Sequence, residues 1–244
     1  EKDFAWGYFM SPRQIIMGIG VEEPVASYTL NYVYEGSMEW KWGHQIKTGS
    51  LDLLHCLPLP ERHPQNNLSL KPHETRKWTL HLGVVDRLAG VKEKLSQWIQ
   101  APMIECEKYT MAGHETSRLL IHSQSGLEKL IVKAPDGTQS VLPVDGVADN
   151  VYSALFSPSS QKGLYRITAT AINGKTAEAS IYIRNPWSWY MKNARDFVAR
   201  NPPLFSNGCE AFYGYYTAFL GARHFPETSV DSILEKRFNR TLPF

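Results

Sequence analysis

The first hundred residues alternate between short apolar runs and breaks made of glycine, proline and asparagine. In residues 28–34 (YTLNYVY) the large apolar side chains fall mostly on one parity, which is typical of a strand with one buried face. Residues 58–72 are rich in proline and asparagine and predict a long surface loop. The pattern predicts half of an antiparallel β-sandwich. Its predicted strands are residues 15–21, 27–34, 38–47, 51–57 and 77–85.

Between residues 86 and 100 the spacing of apolar residues changes from that of a strand to that of a helix. Apolar side chains recur at intervals of three and four, which predicts an amphipathic helix that ends before Pro102. This helix would close a first domain that spans residues 1–102.

Residues 103–184 predict a second all-β domain. Pro135-Asp136-Gly137 and Asn173-Gly174 supply residues that tolerate positive φ between apolar runs, so we expect hairpins there. About eighty residues with five or more short strands favour an immunoglobulin-like sandwich. The predicted strands are residues 118–122, 127–133, 151–157, 163–171 and 177–184.

The last segment, residues 185–244, reads as three helices. Asn185 before Pro186 predicts a capped helix start, and Asn201-Pro202-Pro203 predicts its end. A second helix should follow residue 206 or 207, and a third should cover residues 229–238. Gly214, Thr217 and Gly221 would let another helix approach the second one closely. Because three helices with this much aromatic surface need more partners, we expect the chain to be a piece of a longer protein.

Composition narrows the function classes. The net charge of +2 is close to balance and the basic residues are scattered, so we expect no nucleic-acid partner. The three cysteines lack zinc spacing, and we expect no metal, no cofactor and no disulfide framework. No stretch has the length of a membrane span, and no GxSxG, P-loop or complete GxGxxG motif occurs. The sequence leaves the oligomeric state open.

A resemblance adds to this picture. Residues 107–116 (EKYTMAGHET), 134–137 (APDG), 163–167 (GLYRI) and 171–175 (AINGK) resemble immunoglobulin-like modules of bacterial secreted and surface enzymes. A sandwich, such a module and paired helices together resemble the N-terminal part of carbohydrate-active enzymes with an α/α toroid, either glycoside hydrolases or polysaccharide lyases. The resemblance implies a mainly β fold with two tandem antiparallel sandwiches followed by the start of an α/α toroid. It also implies a secreted, periplasmic or cell-surface bacterial protein.

Glu210 is the candidate catalytic acid, on a helix with Tyr213 and Tyr216 and with Trp187 on the preceding helix as candidate sugar contacts. The alternative is a carboxylate that only complements the positive end of the helix dipole. Glycoside hydrolysis needs a second carboxyl group at a defined separation, and the sequence identifies none.

Trp40 and Trp42 share one parity and could form a platform for a pyranose ring. The alternative is that both indoles belong to a sandwich core, where large aromatic side chains are common.

Three functions follow as hypotheses. The first is a non-catalytic N-terminal part of a glycoside hydrolase or polysaccharide lyase, which supports or extends the substrate groove for an oligo- or polysaccharide and is inactive by itself. The second is a glycan-binding module without catalysis. The third is a structural module of a cell-surface assembly.

Overall fold

The computed structural model describes residues 3–33, 45–55, 66–201 and 210–241, which form a mainly β structure with several sheets and four α-helices. Two compact units are present. The first comprises Glu1–Tyr109, Thr116–Ser157 and Leu164–Ile181, and the second comprises Thr110–Glu115, Pro158–Gly163 and Tyr182–Phe244. The first unit runs across residue 102, where the sequence predicts a domain boundary. The division into domains 1–102, 103–184 and 185–244 stays a prediction.

Two small antiparallel sheets come first in the chain. Strands β1 (Ala5–Met10), β2 (Ile16–Val21) and β5 (Leu80–Val85) form one sheet in the order β1-β2-β5. Strands β3 (Ser27–Val33) and β4 (Gln45–Asp52) form the other. Among the described residues, β1 is therefore an edge strand.

The predicted strands 15–21 and 27–34 are confirmed, whereas two details differ. Strand β4 passes through Gly49, which lies between the predicted strands 38–47 and 51–57, and Gly49 pairs with Leu30 in the ladder. Strand β1 was not predicted, because Ala5–Met10 contains no polar residue to mark an exposed face. The predicted strands 38–47 and 51–57 lie partly outside the described residues.

A row of glycines lets a helix lie close to the three-stranded sheet. After a 3-10 turn (Leu88–Gly90), helix α1 (Val91–Ile99) buries its apolar side. A Cβ at Gly20 would lie 2.5 Å from Ile99 Cγ2, and one at Gly83 would lie 2.7 Å from Trp98 Cη2. Because side chains are absent there, the helix backbone can approach the strands. The helix predicted from residue 86 is thus confirmed from residue 91 onward.

Residues 103–184 form two further sheets. One has the order β11-β12-β8-β6, and the other has the order β10-β9-β13-β14-β7. The rings of Phe156 on β12 and Tyr165 on β13 meet edge to face at 5.5 Å between centroids, which joins the two sheets through a shared core. The strands are β6 (Met103–Cys106), β7 (Thr110–Ala112), β8 (Ser117–His122), β9 (Leu127–Lys133), β10 (Gln139–Val141), β11 (Gly146–Ala148), β12 (Val151–Phe156), β13 (Gly163–Ala171) and β14 (Thr176–Arg184).

Both predicted hairpin turns are confirmed. Gly137 has φ 89° and its N–H donates to Ala134 O at 2.9 Å, between β9 and β10. Gly174 has φ 84° and its N–H donates to Ala171 O at 2.9 Å, between β13 and β14. A side chain with a Cβ is strained at such φ values, which explains glycine at both places.

The β13–β14 turn caps the C-terminal end of α1. Lys175 Nζ donates to the carbonyl oxygens of Ile99 at 2.8 Å and Glu22 at 3.1 Å. Asn173 Nδ2 donates to Gln100 O at 2.7 Å, where Gln100 adopts a left-handed conformation with φ 50°. The last carbonyls of a helix have no partner within it and carry the negative end of its dipole. A lysine ammonium and an amide therefore satisfy them here.

Three helices follow: α2 (Trp187–Arg200), α3 (Glu210–His224) and α4 (Thr228–Thr241). Their buried core is formed by Val198, Ala199, Tyr215, Ala218 and Leu234. The three predicted helices are confirmed, and α4 is longer than the predicted 229–238. The predicted cap is wrong, because the N-cap position of α2 is held by Pro186 rather than Asn185, without a side-chain cap bond.

Gly221 on α3 makes the close helix contact that the small residues predict. A Cβ there would collide with the backbone oxygen of Met191 and lie 3.0 Å from Cβ of Arg195. Arg195 is only 2% exposed. Its Nη2 lies 2.8 Å from Asp196 Oδ1 and 2.8 Å from Glu227 Oε2, so the guanidinium links α2 to the segment before α4.

The surroundings keep Arg195 charged. Burial alone would lower the pKa of its guanidinium. The hydrogen bond and charge of Asp196, with the charges of Glu227 and Asp231, outweigh that effect and raise the pKa above its ordinary value.

We expect Gly20→Ala to lower the free energy of unfolding by about 1–3 kcal/mol, since the added methyl group must displace Ile99 of α1. Gly7→Ala is the control on the same sheet, because a Cβ at Gly7 would meet Ile19 Cγ2 at an ordinary 3.6 Å. Urea denaturation of both variants measures the difference. Equal stability of the two variants would contradict the packing of α1 on the glycine row.

Candidate functional site

The candidate residues of the sequence analysis lie in different parts of the chain. Trp40 and Trp42 lie outside the described residues. Glu210 is the first residue of α3, and Tyr213 lies in the same helix. Trp187 and Tyr216 are 63% and 69% exposed. The roles of all six stay predictions.

Trp187 and Tyr216 lie at different levels of the α2–α3 helix pair. Met191 of α2 contacts Gly221 of α3, and Val198 and Tyr215 share one core cluster, so the two helices run antiparallel. Trp187 precedes Met191 and Tyr216 precedes Gly221, which places them on opposite sides of that contact. At about 1.5 Å per residue they are separated by roughly 13 Å along the helix axes.

Trp187 instead belongs to an aromatic cluster at the start of α2. Its ring centroid lies 5.9 Å from that of Tyr190, and Trp189 meets Tyr190 edge to face at 5.0 Å. All three rings are at least one third exposed. We call these three residues and Arg184 the α2 platform. Both tryptophans therefore contact the same tyrosine, although Trp187 and Trp189 are only two positions apart in the helix.

Arg184 gives the α2 platform a positive charge. Its Cζ lies 4.3 Å from the ring centroid of Trp187, a cation–π distance. Nη1 donates to Asn185 O at 2.7 Å, whereas Nε is buried and has no hydrogen-bond partner among the described residues. An indole face next to a guanidinium can hold an apolar ring face together with a hydrogen-bond acceptor or an anion.

A second aromatic site lies in the first unit, between β1 and the β3–β4 sheet. It is a cleft of about 410 Å³. Gly7, Ile19 and Val21 contribute to one side, and Tyr28 and Leu51 contribute to another. The missing side chain at Gly7 helps to keep this space open. We call it the β1 cleft, and its remaining lining residues are Ala5, Trp6, Tyr8, Phe9 and Ser50.

The sequence analysis missed the β1 cleft because it missed strand β1. Trp6 and Tyr8 fall on one parity of Ala5–Met10, and this is the signal that could have revealed the strand. The ten described lining residues include four aromatic residues and Ser50, and none of them is Asp, Glu, Lys, Arg or His. Trp6 and Tyr8 pair with Gly20 and Gly18, so their side chains leave β1 on the side of α1, and Phe9 and Tyr28 supply the aromatic side chains of the cleft.

A lysine lies near the indole of Trp6. Lys92 Nζ is 5.8 Å from that ring centroid, and it donates to Ile104 O and, at 3.1 Å, to Tyr109 Oη. These bonds hold the ammonium against β6 and Tyr109. Lys92 is not among the residues that line the β1 cleft.

The side chains of the described residues give no sign of a metal centre. No group of three or more His, Cys, Asp and Glu side chains within them could hold a metal ion. In the same part of the chain, no helix is long and apolar enough to cross a membrane.

Comparisons with known proteins place the fold. No family model and no curated protein matches the sequence. A solved polysaccharide lyase is similar over 98% of this chain, with a TM-score of 0.62 and 15% identity. The chain shares its fold with part of that lyase. It spans 39% of the lyase's length, and the identity is too low for the likeness to show more than the fold.

Smaller structures match only part of the chain. The PKD1 domain of Vibrio anguillarum Epp has 18% identity and a TM-score of 0.24, and the match covers 36% of this chain and 98% of that domain. The Ig1 domain of mouse SynCAM 2 has 15% identity and a TM-score of 0.26, with 36% and 98% covered. TM-scores this low support no conclusion about this chain.

We expect the thiol of Cys106 to resist alkylation in the folded chain at neutral pH. Burial raises its pKa to about 11, so the reactive thiolate forms only in strongly alkaline solution. Peptide mapping after iodoacetamide treatment at pH 7.5 measures this residue separately from the other two cysteines. The same treatment in denaturant is the control. Rapid labelling without denaturant would show that the Cys106 thiol is exposed in the folded chain.

Proposed function

We propose that the chain is the N-terminal, non-catalytic part of a carbohydrate-processing enzyme, a polysaccharide lyase or a glycoside hydrolase. Residues 1–102 and 103–184 act as tandem sandwiches, the second of them immunoglobulin-like. Residues 185–244 begin an α/α toroid, and the sandwiches support or extend its substrate groove.

The observation that carries this proposal is the likeness to a polysaccharide lyase. It extends over 98% of the chain rather than over a single module, and it occupies 39% of the lyase. A shared arrangement of strands and helices over that length supports a shared kind of protein, although fold by itself does not specify a reaction.

The α2 platform supports contact with a carbohydrate. A pyranose ring has an apolar face of C–H groups that can stack on an exposed indole, and its hydroxyl or carboxylate oxygens can accept hydrogen bonds from a guanidinium. Trp187 supplies such a face and Arg184 supplies the donor. Glu210, Tyr213 and Tyr216 on α3, with Trp40 and Trp42, remain the further residues proposed for the groove. Glu210 is the proposed acid, which would act only together with a second carboxyl group supplied by the rest of the enzyme, so the chain alone is inactive.

A glycan-binding module without catalysis is the second candidate, and the exposed rings of the α2 platform favour it too. Either function fits a secreted, periplasmic or cell-surface bacterial protein, which we propose as the location.

The deciding experiment compares the natural gene product with this chain. The intact mass of the gene product is measured, and both proteins are incubated with a panel of neutral and uronate-containing polysaccharides. We expect the natural product to exceed 27.7 kDa and to release oligosaccharides, while the chain alone releases none. The ultraviolet absorbance of unsaturated ends separates elimination from hydrolysis.

Two results would overturn the proposal. Full turnover by the 244-residue chain would place the catalytic groups within it. A longer natural product that binds glycans without degrading any of the panel would favour the binding module instead.

We expect Trp187→Ala to weaken oligosaccharide binding about tenfold, because the stacking surface of the α2 platform is removed. Phe197→Ala is the matched control, since Phe197 lies in the same helix and is similarly exposed, at 65% against 63%. Calorimetry with the polysaccharide that the natural product degrades gives the affinity. Equal losses of affinity in the two variants would show that the α2 platform is not part of the groove.

A further inference from the structure

The shape of the β1 cleft suits one sugar ring rather than a long chain buried in the protein. A volume of about 410 Å³ falls at the lower end of the range for ligand pockets, roughly 300–1,000 Å³. Gly7 and Ile19 on one side and Tyr28 on another leave a space whose surfaces are mainly apolar. Such a space accepts a flat ligand with apolar faces.

Polar groups lie at the border of this space. Strand β1 pairs with β2 on one side only within the described residues, so alternate peptide groups of β1 point away from the sheet. Tyr28 is 71% exposed and Ser50 is exposed, which leaves hydroxyls of the opposite wall accessible. Peptide groups and hydroxyls are the partners that sugar hydroxyls require.

The charge of the lining residues limits the kind of sugar that the β1 cleft can bind. Among the described residues, none of the ten that line the cleft carries a charge at neutral pH. Lys92 lies next to Trp6 outside this lining and donates to Ile104 O and Tyr109 Oη. Burying a carboxylate or sulfate without a cationic partner is strongly unfavourable. An uncharged pyranose has no such penalty.

We propose that the β1 cleft is a binding subsite for an uncharged pyranose unit of an oligosaccharide. This inference rests on the proposed function for the carbohydrate nature of the ligand, and it concerns a site of different residues and different charge from the α2 platform. The ring stacks on the side chain of Tyr28 or Phe9, and its hydroxyls bond to Ser50 and to the edge of β1 that has no partner strand among the described residues.

The test uses the 244-residue chain with Trp187→Ala in the background, so that stacking on the α2 platform does not contribute. Cellohexaose, xylohexaose, mannohexaose and maltohexaose are the neutral probes, and an oligogalacturonide of the same length is the acidic probe. Calorimetry and saturation-transfer NMR measure binding at low and high salt.

Two variants address the cleft from opposite walls. Gly7→Leu fills it, and its backbone φ lies outside the range that requires glycine. Tyr28→Ala removes a side chain that is 71% exposed, so its loss leaves the core intact. Ala148→Leu is the matched control, because it places the same leucine side chain at an exposed position on β11, which is an edge strand of another sheet among the described residues.

We expect at least one neutral probe to bind independently of salt, with at least tenfold weaker binding in Gly7→Leu and in Tyr28→Ala and unchanged binding in Ala148→Leu. Thermal unfolding of each variant checks that the fold is kept, and Tyr28→Ala decides if Gly7→Leu does not fold. The inference is overturned if no neutral probe binds, if only the acidic probe binds, or if both cleft variants bind like the control. The degradation assay of the natural gene product tests the proposed function separately from this inference.

Discussion

The positive charge of Lys175 lies where three parts of the first unit meet. Its ammonium satisfies the last carbonyl of α1 and the carbonyl of Glu22 just after β2. Hydrogen bonds to a charged donor contribute about 1.5–3 kcal/mol each, more than neutral ones. The turn that presents Lys175 thereby holds α1 against the glycine row of the first sheet. The opposite face of that sheet contributes Gly7 and Ile19 to the β1 cleft, so the cleft depends on a turn in a distant part of the sequence.

The α2 platform and the β1 cleft differ in the charge of the residues that form them. The α2 platform is open, and water screens the guanidinium of Arg184 while leaving it accessible to oxygen atoms. The described residues of the β1 cleft carry no charge, so they favour a ligand that can be desolvated without a counter-charge.

Local chemistry explains which features could be predicted from the sequence. The turns at Gly137 and Gly174 can be predicted because a positive φ restricts the residue type. Helix α1 can be predicted because apolar residues recur with the period of a helix. Strand β1 is not visible, since every residue of Ala5–Met10 is compatible with either face. The β1 cleft and the capping by Lys175 depend on contacts between residues far apart in sequence, which no local pattern encodes. The α2 platform was found in part, through Trp187, whereas Arg184 stacks on it from the preceding strand.

The parallel pairing of β7 with the end of β14 has a consequence for the order of folding. Thr110–Ala112 pairs with Tyr182–Arg184, so roughly 70 residues separate the partners. Closing a loop of that length is an entropic cost that must be met before the contact gives any stabilisation. On the ribosome, β7 must wait without its partner until the whole segment up to Arg184 has emerged. The hairpins formed by β9–β10 and β13–β14 need no such delay, and a synthesis pause before residue 184 would leave β7 without its pairing strand.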